Sequence, residues 1–240
     1  MSTVKRAEGT NFQIRLEEGR FILTDGDKVM TSPGGTAITT GYEELADAFL
    51  KDISENGITF ENNDSILCWH YNLLDKFIGM DMRQILLMII GSLMNSPDRD
   101  WTFKCPYSDE DVVSEWEKVF GTKEEMEDRL QIVADWLNAC TRMQLAGAYA
   151  LSKLTDSFNI PYITAYAMEH EGDTDEAIQR IAEMIVKYRP GNQMEDTVRR
   201  LNMFRLYYGF HMDDIRRTDP IEGDGADEET AQELINELLK

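Results

Sequence analysis

Residues 65–94 read SILCWHYNLLDKFIGMDMRQILLMIIGSLM and form the most apolar run of the chain. Only Asp75, Lys76, Asp81 and Arg83 are charged within it. A helix that is apolar on most sides has to be enclosed by other elements, so this stretch predicts the core of the fold. Two helical pieces are expected. Gly79 supplies the break between them. Asp81 and Gln84 have capping-box spacing for the second piece, which Pro97 ends. The densest part, residues 85–90, is far short of the ~18 apolar residues that span a bilayer. It predicts a core helix and no membrane insertion.

Upstream of this stretch the periodicity changes from helical to alternating. Phe12, Ile14 and Leu16 alternate with polar residues, as do Phe21 and Leu23, and residues 17–20 (EEGR) carry turn chemistry between them. Asp25-Gly26 marks a second turn, residues 29–31 a third strand, Ser32-Pro33-Gly34-Gly35 a strong turn and residues 36–39 a fourth strand. Residues 1–10 read as a disordered lead-in. A meander of this size needs a helix packed on it. Residues 42–56 supply one, with Thr40 and Glu43 at capping-box spacing, an apolar face of Tyr42, Leu45, Ala46, Phe49 and Ile53, and Gly57 as the stop.

Downstream, residues 101–105 (WTFKC) are expected as a strand closed by Pro106. Helices follow: one capped by Ser108 and running to Phe120, and one opened by Thr122 and Glu125 and carrying Met126, Leu130, Val133 and Leu137. Residues 141–158 form another. Next comes a helix with Pro161 in its first turn that ends at His170, then one capped by Thr174 that ends before Pro190, then residues 194–208. Residues 217–229 are acidic and Gly-rich, as linkers are, and residues 230–239 read as a short amphipathic helix. The expected fold class is α+β: a small antiparallel β-domain at the N-terminus followed by a mostly helical domain. The β-meander with its packing helix occupies residues 11–60. The helical domain, with one short strand near 101–105, takes 61–216, and the acidic linker and terminal helix take 217–240.

The 240 residues carry 45 acidic against 24 basic side chains, a net charge of −21. Nucleic acid and anionic membranes need a positive face, so this balance argues against both as partners and favours basic protein surfaces. Cys68, Cys105 and Cys140 are odd in number and far apart, with no CxxC pair. Neither a disulfide framework nor a structural zinc site is indicated, and a reducing, cytoplasmic setting fits. The N-terminal MSTVKRAEGTN has no apolar h-region, so no secretory signal is expected.

No catalytic constellation is apparent. His70, His170 and His211 are dispersed. Cys68 and His70 are two apart on a helix and do not share a face, so they read as packed core residues and not as ligands of one metal. His170 between Glu169 and Glu171 reads as a solvated helix end. HExxH, GxSxG, GxxxxGK[ST] and GxGxxG are all absent. Pro33-Gly34-Gly35 is a hairpin pair and not a strand-to-helix phosphate cradle. Arg199, Arg200 and Arg205 form a basic face that either meets an anion or is surface charge. No catalytic, cofactor-binding or metal-ligating residue is assigned, and no cofactor is expected.

One resemblance emerges from the whole pattern. Residues 11–49 read NFQIRLEEGRFILTDGDKVMTSPGGTAITTGYEELADAF. This resembles the opening of the assembly chaperones that guard the free alpha subunit of F-type ATP synthase: a short strand, a Gly-Arg turn (Gly19-Arg20), a Thr-Pro-Gly type hairpin (residues 31–35) and an Ala-Leu-rich helix (Leu45, Ala46, Ala48). Residues 100–116, ending in Trp116, look like the family's Asp-Leu-Leu-Cys-Tyr segment and downstream Trp. Residues 145–177 look like its helical pair. The likeness covers about residues 11–190. It departs from the pattern in lacking a Pro before Tyr42 and a Leu-Asp-Glu run after Ala177. It implies a β-domain plus a helical domain, no cofactor and a protein client, namely the ATP synthase alpha subunit. The alternatives are an adaptor for another client, with residues 194–208 and the terminal helix as contact elements, and an enzyme of unknown class with a site at the domain junction using His70 or His170.

Overall fold

Glu18 and Gly19 both take positive φ, 50° and 79°, the pair a two-residue type I′ hairpin demands. They join β2 (Phe12–Glu17) to β3 (Arg20–Asp25) in a register that sets Ile14 against Leu23. Both side chains are buried. The computed structural model describes residues 5–62, 64–77, 79–94, 100–104 and 110–210. It divides into two units, Met1–Met80 and Asp81–Lys240. The fold class is α+β, an antiparallel sheet followed by a mostly helical region.

In the first unit the strand order is β1 (Lys5–Arg6), β2, β3, β4 (Lys28–Val29), and β5 (Thr39–Thr40) also pairs with β3. β4 and β5 share one edge of β3: Thr24 lies opposite Val29, and Ile22 opposite Thr39. The strands expected at 29–31 and 36–39 therefore sit at 28–29 and 39–40, joined by a bridge between Thr31 and Ala37. The disordered lead-in is also corrected. Lys5 and Arg6 pair with β2, Ala7 is buried, and Lys5 Nζ lies 2.7 Å from both Glu43 and Asp47 carboxylates. Two charged residues gave no apolar signal, but edge pairing uses backbone groups that composition does not reveal.

α1 (Glu43–Asn56) buries Leu45, Ala46, Phe49, Leu50 and Ile53, and the Gly57 amide closes it on Ile53 O at 2.9 Å. Its expected Thr40 cap is not formed: Tyr42 is the N-cap and makes no side-chain cap bond. Thr40 instead belongs to β5, where its hydroxyl accepts from the Tyr42 amide. α2 (Ile66–Asn72) is capped by Ser65, whose hydroxyl also donates to Asp52 of α1 at 2.5 Å. α2 then widens into a π-helical turn, Leu73–Phe77. Nothing in the apolar run signalled that widening.

In the second unit α3 (Met82–Met94) begins with the expected box. The Gln84 amide donates to Asp81 Oδ1 at 2.8 Å, and Asp81 N donates to Gln84 Oε1 at 3.2 Å. Ile85, Leu86, Ile89, Ile90 and Leu93 are buried. The strand expected at 101–105 is a 3-10 turn, Trp101–Phe103. The Asp100 carboxylate takes the Thr102 amide and hydroxyl, at 3.0 and 2.7 Å, together with the Phe158 amide at 3.1 Å. Those local acceptors replace a sheet partner. Cys105 and the Ser108 cap lie outside the described residues.

The remaining helices are α4 (Glu110–Phe120), α5 (Lys123–Glu127), α6 (Arg129–Ala139), α7 (Arg142–Thr155), α8 (Asn159–His170), α9 (Thr174–Tyr188) and α10 (Met194–Phe210). Thr122 and Glu125 form their capping box, as Thr141 and Gln144 do for α7. The helix expected across 122–137 is broken at Asp128, so α5 and α6 are separate. The cap of α9 is Asp173 and not Thr174: its carboxylate accepts from the Glu176 amide. An ionised acceptor at a helix N-terminus outcompetes the hydroxyl beside it. Trp101, Trp116, Phe120 and Tyr188 cluster edge to face, and Leu201, Phe204, Tyr207 and Tyr208 of α10 are buried. Among the described residues no helix is long and apolar enough to cross a membrane. The linker and terminal helix expected at 217–240 lie outside the described residues.

Candidate protein-binding cleft

The residues that drew attention in the sequence are dispersed and partnered. His70 is buried, with Nε2 2.8 Å from Thr39 O and its ring 4.9 Å from Phe49. Cys68, also buried, places Sγ 3.3 Å from Phe60 O, and burial pushes its thiol above the ordinary range. The Gly34 amide donates to Asp75, so the glycine pair holds an internal carboxylate. Of the basic face, Arg199 pairs with Asp196 at 3.0 Å, Arg205 with Asp175, and Arg200 reaches Asn192 at 3.3 Å. The aromatic side of that helix is core. His211 lies outside the described residues. Among those described, no three His, Cys, Asp or Glu side chains form a metal-holding group.

A concave site emerges instead within the helical unit, from three local events. Gly121, at φ +92°, ends α4 with its amide on Glu117 O at 3.0 Å. Thr122 and Glu125 restart the chain as α5. The break at Asp128 then sets Arg129 at the head of α6. Across from it, α8 presents Tyr162 and Tyr166, and α9 presents Arg180 and Ile181. The cleft between them has a volume of about 470 Å³, within the range of ligand-holding clefts.

Arg129 is a partly buried cation in its lining. The Arg129 guanidinium lies 5.3 Å from the Tyr162 ring centroid, a cation–π distance. Its Nε is buried and donates to nothing among the described residues. Burial pulls the guanidinium below its ordinary pKa, and Tyr162 and Glu125 oppose that. The Glu125 carboxylate lies nearby and takes the Thr122 amide at 2.6 Å, a bond that holds it below the usual range. The other arginine is engaged: Arg180 pairs with Glu171 at 2.6 Å. Burial raises the Tyr162 phenol, and the neighbouring Arg129 opposes that.

The rim mixes acidic and apolar side chains and is open. Tyr166 is 49% exposed and Ile132 38%, two large hydrophobic side chains left to solvent at one site. Tyr166 stacks on His170, centroids 4.2 Å apart and planes 15° from parallel. Tyr162, Tyr166 and His170 thus form one stripe along α8. That i, i+4, i+8 spacing was available in the sequence, and His170 was read only as a helix end. Arg129 carried no sequence signal, because its place over the Tyr162 ring depends on the fold. A more open depression on the sheet is lined in part by Gln13, Arg15 and Asp27, where Gln13 and Arg15 donate to Gly26 O and Arg15 pairs with Asp27. No family model, no curated protein and no solved structure matches the chain.

Proposed function

We propose that this protein is a non-enzymatic assembly chaperone of the cytoplasm that binds a client protein through the α4–α6–α8–α9 cleft. The client is the free alpha subunit of F-type ATP synthase, as the resemblance across residues 11–190 implies. The observation that carries the reading is that Ile132 and Tyr166, both open to solvent, line one cleft with a partly buried arginine whose Nε has no hydrogen-bond partner among the described residues. Apolar surface grouped in a concavity gains by being covered, and a subunit awaiting assembly exposes surface of the same kind. The net charge of −21 speeds encounter with a basic client rim. The test is to mix the purified chain with the same organism's free alpha subunit and, separately, with the assembled catalytic head. Retention of the free subunit alone supports the reading. Retention of neither removes the ATP synthase assignment.

A further inference from the structure

We propose that the cleft captures the C-terminal carboxylate of a partner polypeptide, with Arg129 as the anchoring cation and the Tyr162–Tyr166–His170 stripe as the track for the preceding residues. This rests on the protein-binding reading and names the chemistry it uses. A guanidinium offers five N–H donors in a fork that fits a carboxylate. Arg129 is partly buried, with the face of Tyr162 against it and the Glu125 carboxylate nearby, and its Nε meets no acceptor among the described residues. A desolvated charge in that state gains from an incoming anion more than a solvated surface lysine does.

The surroundings narrow the anion. Glu117, Glu125, Asp128 and Glu171 line the same cleft, so a dianionic phosphate meets about twice the like-charge repulsion that a single carboxylate does. Ile132, Ile163 and Ile181 provide apolar wall next to the cation, which suits a carboxylate carried beside an aliphatic side chain. Geometry favours a chain end over an internal acidic residue. The stripe runs about 12 Å along α8, eight residues at a helical rise of about 1.5 Å each. Arg129 sits at its Tyr162 end. A segment laid along Tyr166 toward Arg129 therefore brings a carboxylate at its end onto the cation. Capture of a terminal carboxylate is an established mode of peptide recognition. The acidic rim suits a basic residue further back in the same segment.

The experiment titrates the full-length chain, followed by NMR at the Arg129 side-chain Nε–Hε, with acetyl-Lys-Ala-Ala-Leu-Leu bearing a free C-terminus. It repeats this with the C-terminal amide and with an amide in which an internal Glu replaces the central Ala. The free acid is expected to bind at least about tenfold tighter than its amide and to shift the Arg129 signal. Arg129→Gln is expected to erase the difference, and Arg129→Lys to retain part of it. Equal affinity for acid and amide overturns the proposal, as does preference for the internal-Glu peptide over the free terminus. Preference for the free acid on wild type that persists in Arg129→Gln overturns the role of Arg129. If acid and amide bind alike while Ile132→Asp abolishes capture of the alpha subunit, the protein-binding reading stands without the carboxylate site. If the acid is preferred and no client is retained, the site stands and the client assignment falls.

Discussion

The Asp75 carboxylate accepts a hydrogen bond from the Gly34 amide at 2.6 Å, across 41 residues of sequence, and takes the Ser32 hydroxyl as well. A Cβ at position 34 would lie 2.5 to 2.9 Å from that carboxylate, closer than real side chains come. The tip of the β4–β5 connection is thus held by an acidic side chain of the π-helical turn.

Two substitutions test this clasp. Asp75→Ala and Gly34→Ala are each expected to lower the unfolding free energy by about 1–2 kcal/mol in urea, the first by removing the acceptor and the second by driving it away. Because both act on one contact, the double variant should cost little more than either alone. Additive losses would mean that the two residues are not coupled.

Asp100 gives a pH signature. Its carboxyl is buried, and that burial raises its pKa above the ordinary value, against the hydrogen bonds from Thr102, Ser157 and Phe158. A raised folded-state pKa means that the native state holds the proton more tightly than the unfolded chain does. The group therefore favours the fold most below its ordinary pKa, and that contribution declines as pH rises through the raised value. Asp100→Asn removes the titration. The stability advantage of wild type over this variant, measured by denaturation, should be smaller at pH 7 than at pH 4. A constant or growing advantage would contradict the assignment.

Gly147 marks where α7 and α10 meet most tightly. A Cβ there would sit 3.0 Å from the Tyr207 ring, and Tyr207 is fully buried. Gly147→Leu is expected to destabilise by about 2–3 kcal/mol through overpacking, and Gly147→Ala by less. A thermal midpoint unchanged in the leucine variant would falsify the close approach.

Periodicity made the larger outline of the fold legible. Ile14 and Leu23 alternate into the sheet core, Leu45 and Phe49 recur at helical spacing, and the Asp81/Gln84 and Thr122/Glu125 pairs open helices. Misreadings fell where a local side chain competes with a regular element. Asp100 turned an aromatic run into a 3-10 turn, Asp173 displaced Thr174 as a cap, and Lys5–Arg6 joined the sheet through backbone groups alone. The cleft was less legible. The spacing of Tyr162, Tyr166 and His170 is visible in the chain, but the placing of Arg129 over the Tyr162 ring is a three-dimensional fact. Residues of the same types elsewhere, such as Arg199 with Asp196, neutralise one another.

The most direct measurement is the affinity of the purified chain for the free ATP synthase alpha subunit, by calorimetry, compared with that of Ile132→Asp. Ile132 is 38% exposed, so both proteins are compared at a temperature well below their thermal midpoints, where each is folded. Wild type is expected to bind at micromolar affinity or tighter, and the variant at least about tenfold more weakly, since a buried apolar anchor contributes more than about 1.4 kcal/mol. Equal binding by the two proteins, or no heat with either, would contradict a client held in this cleft.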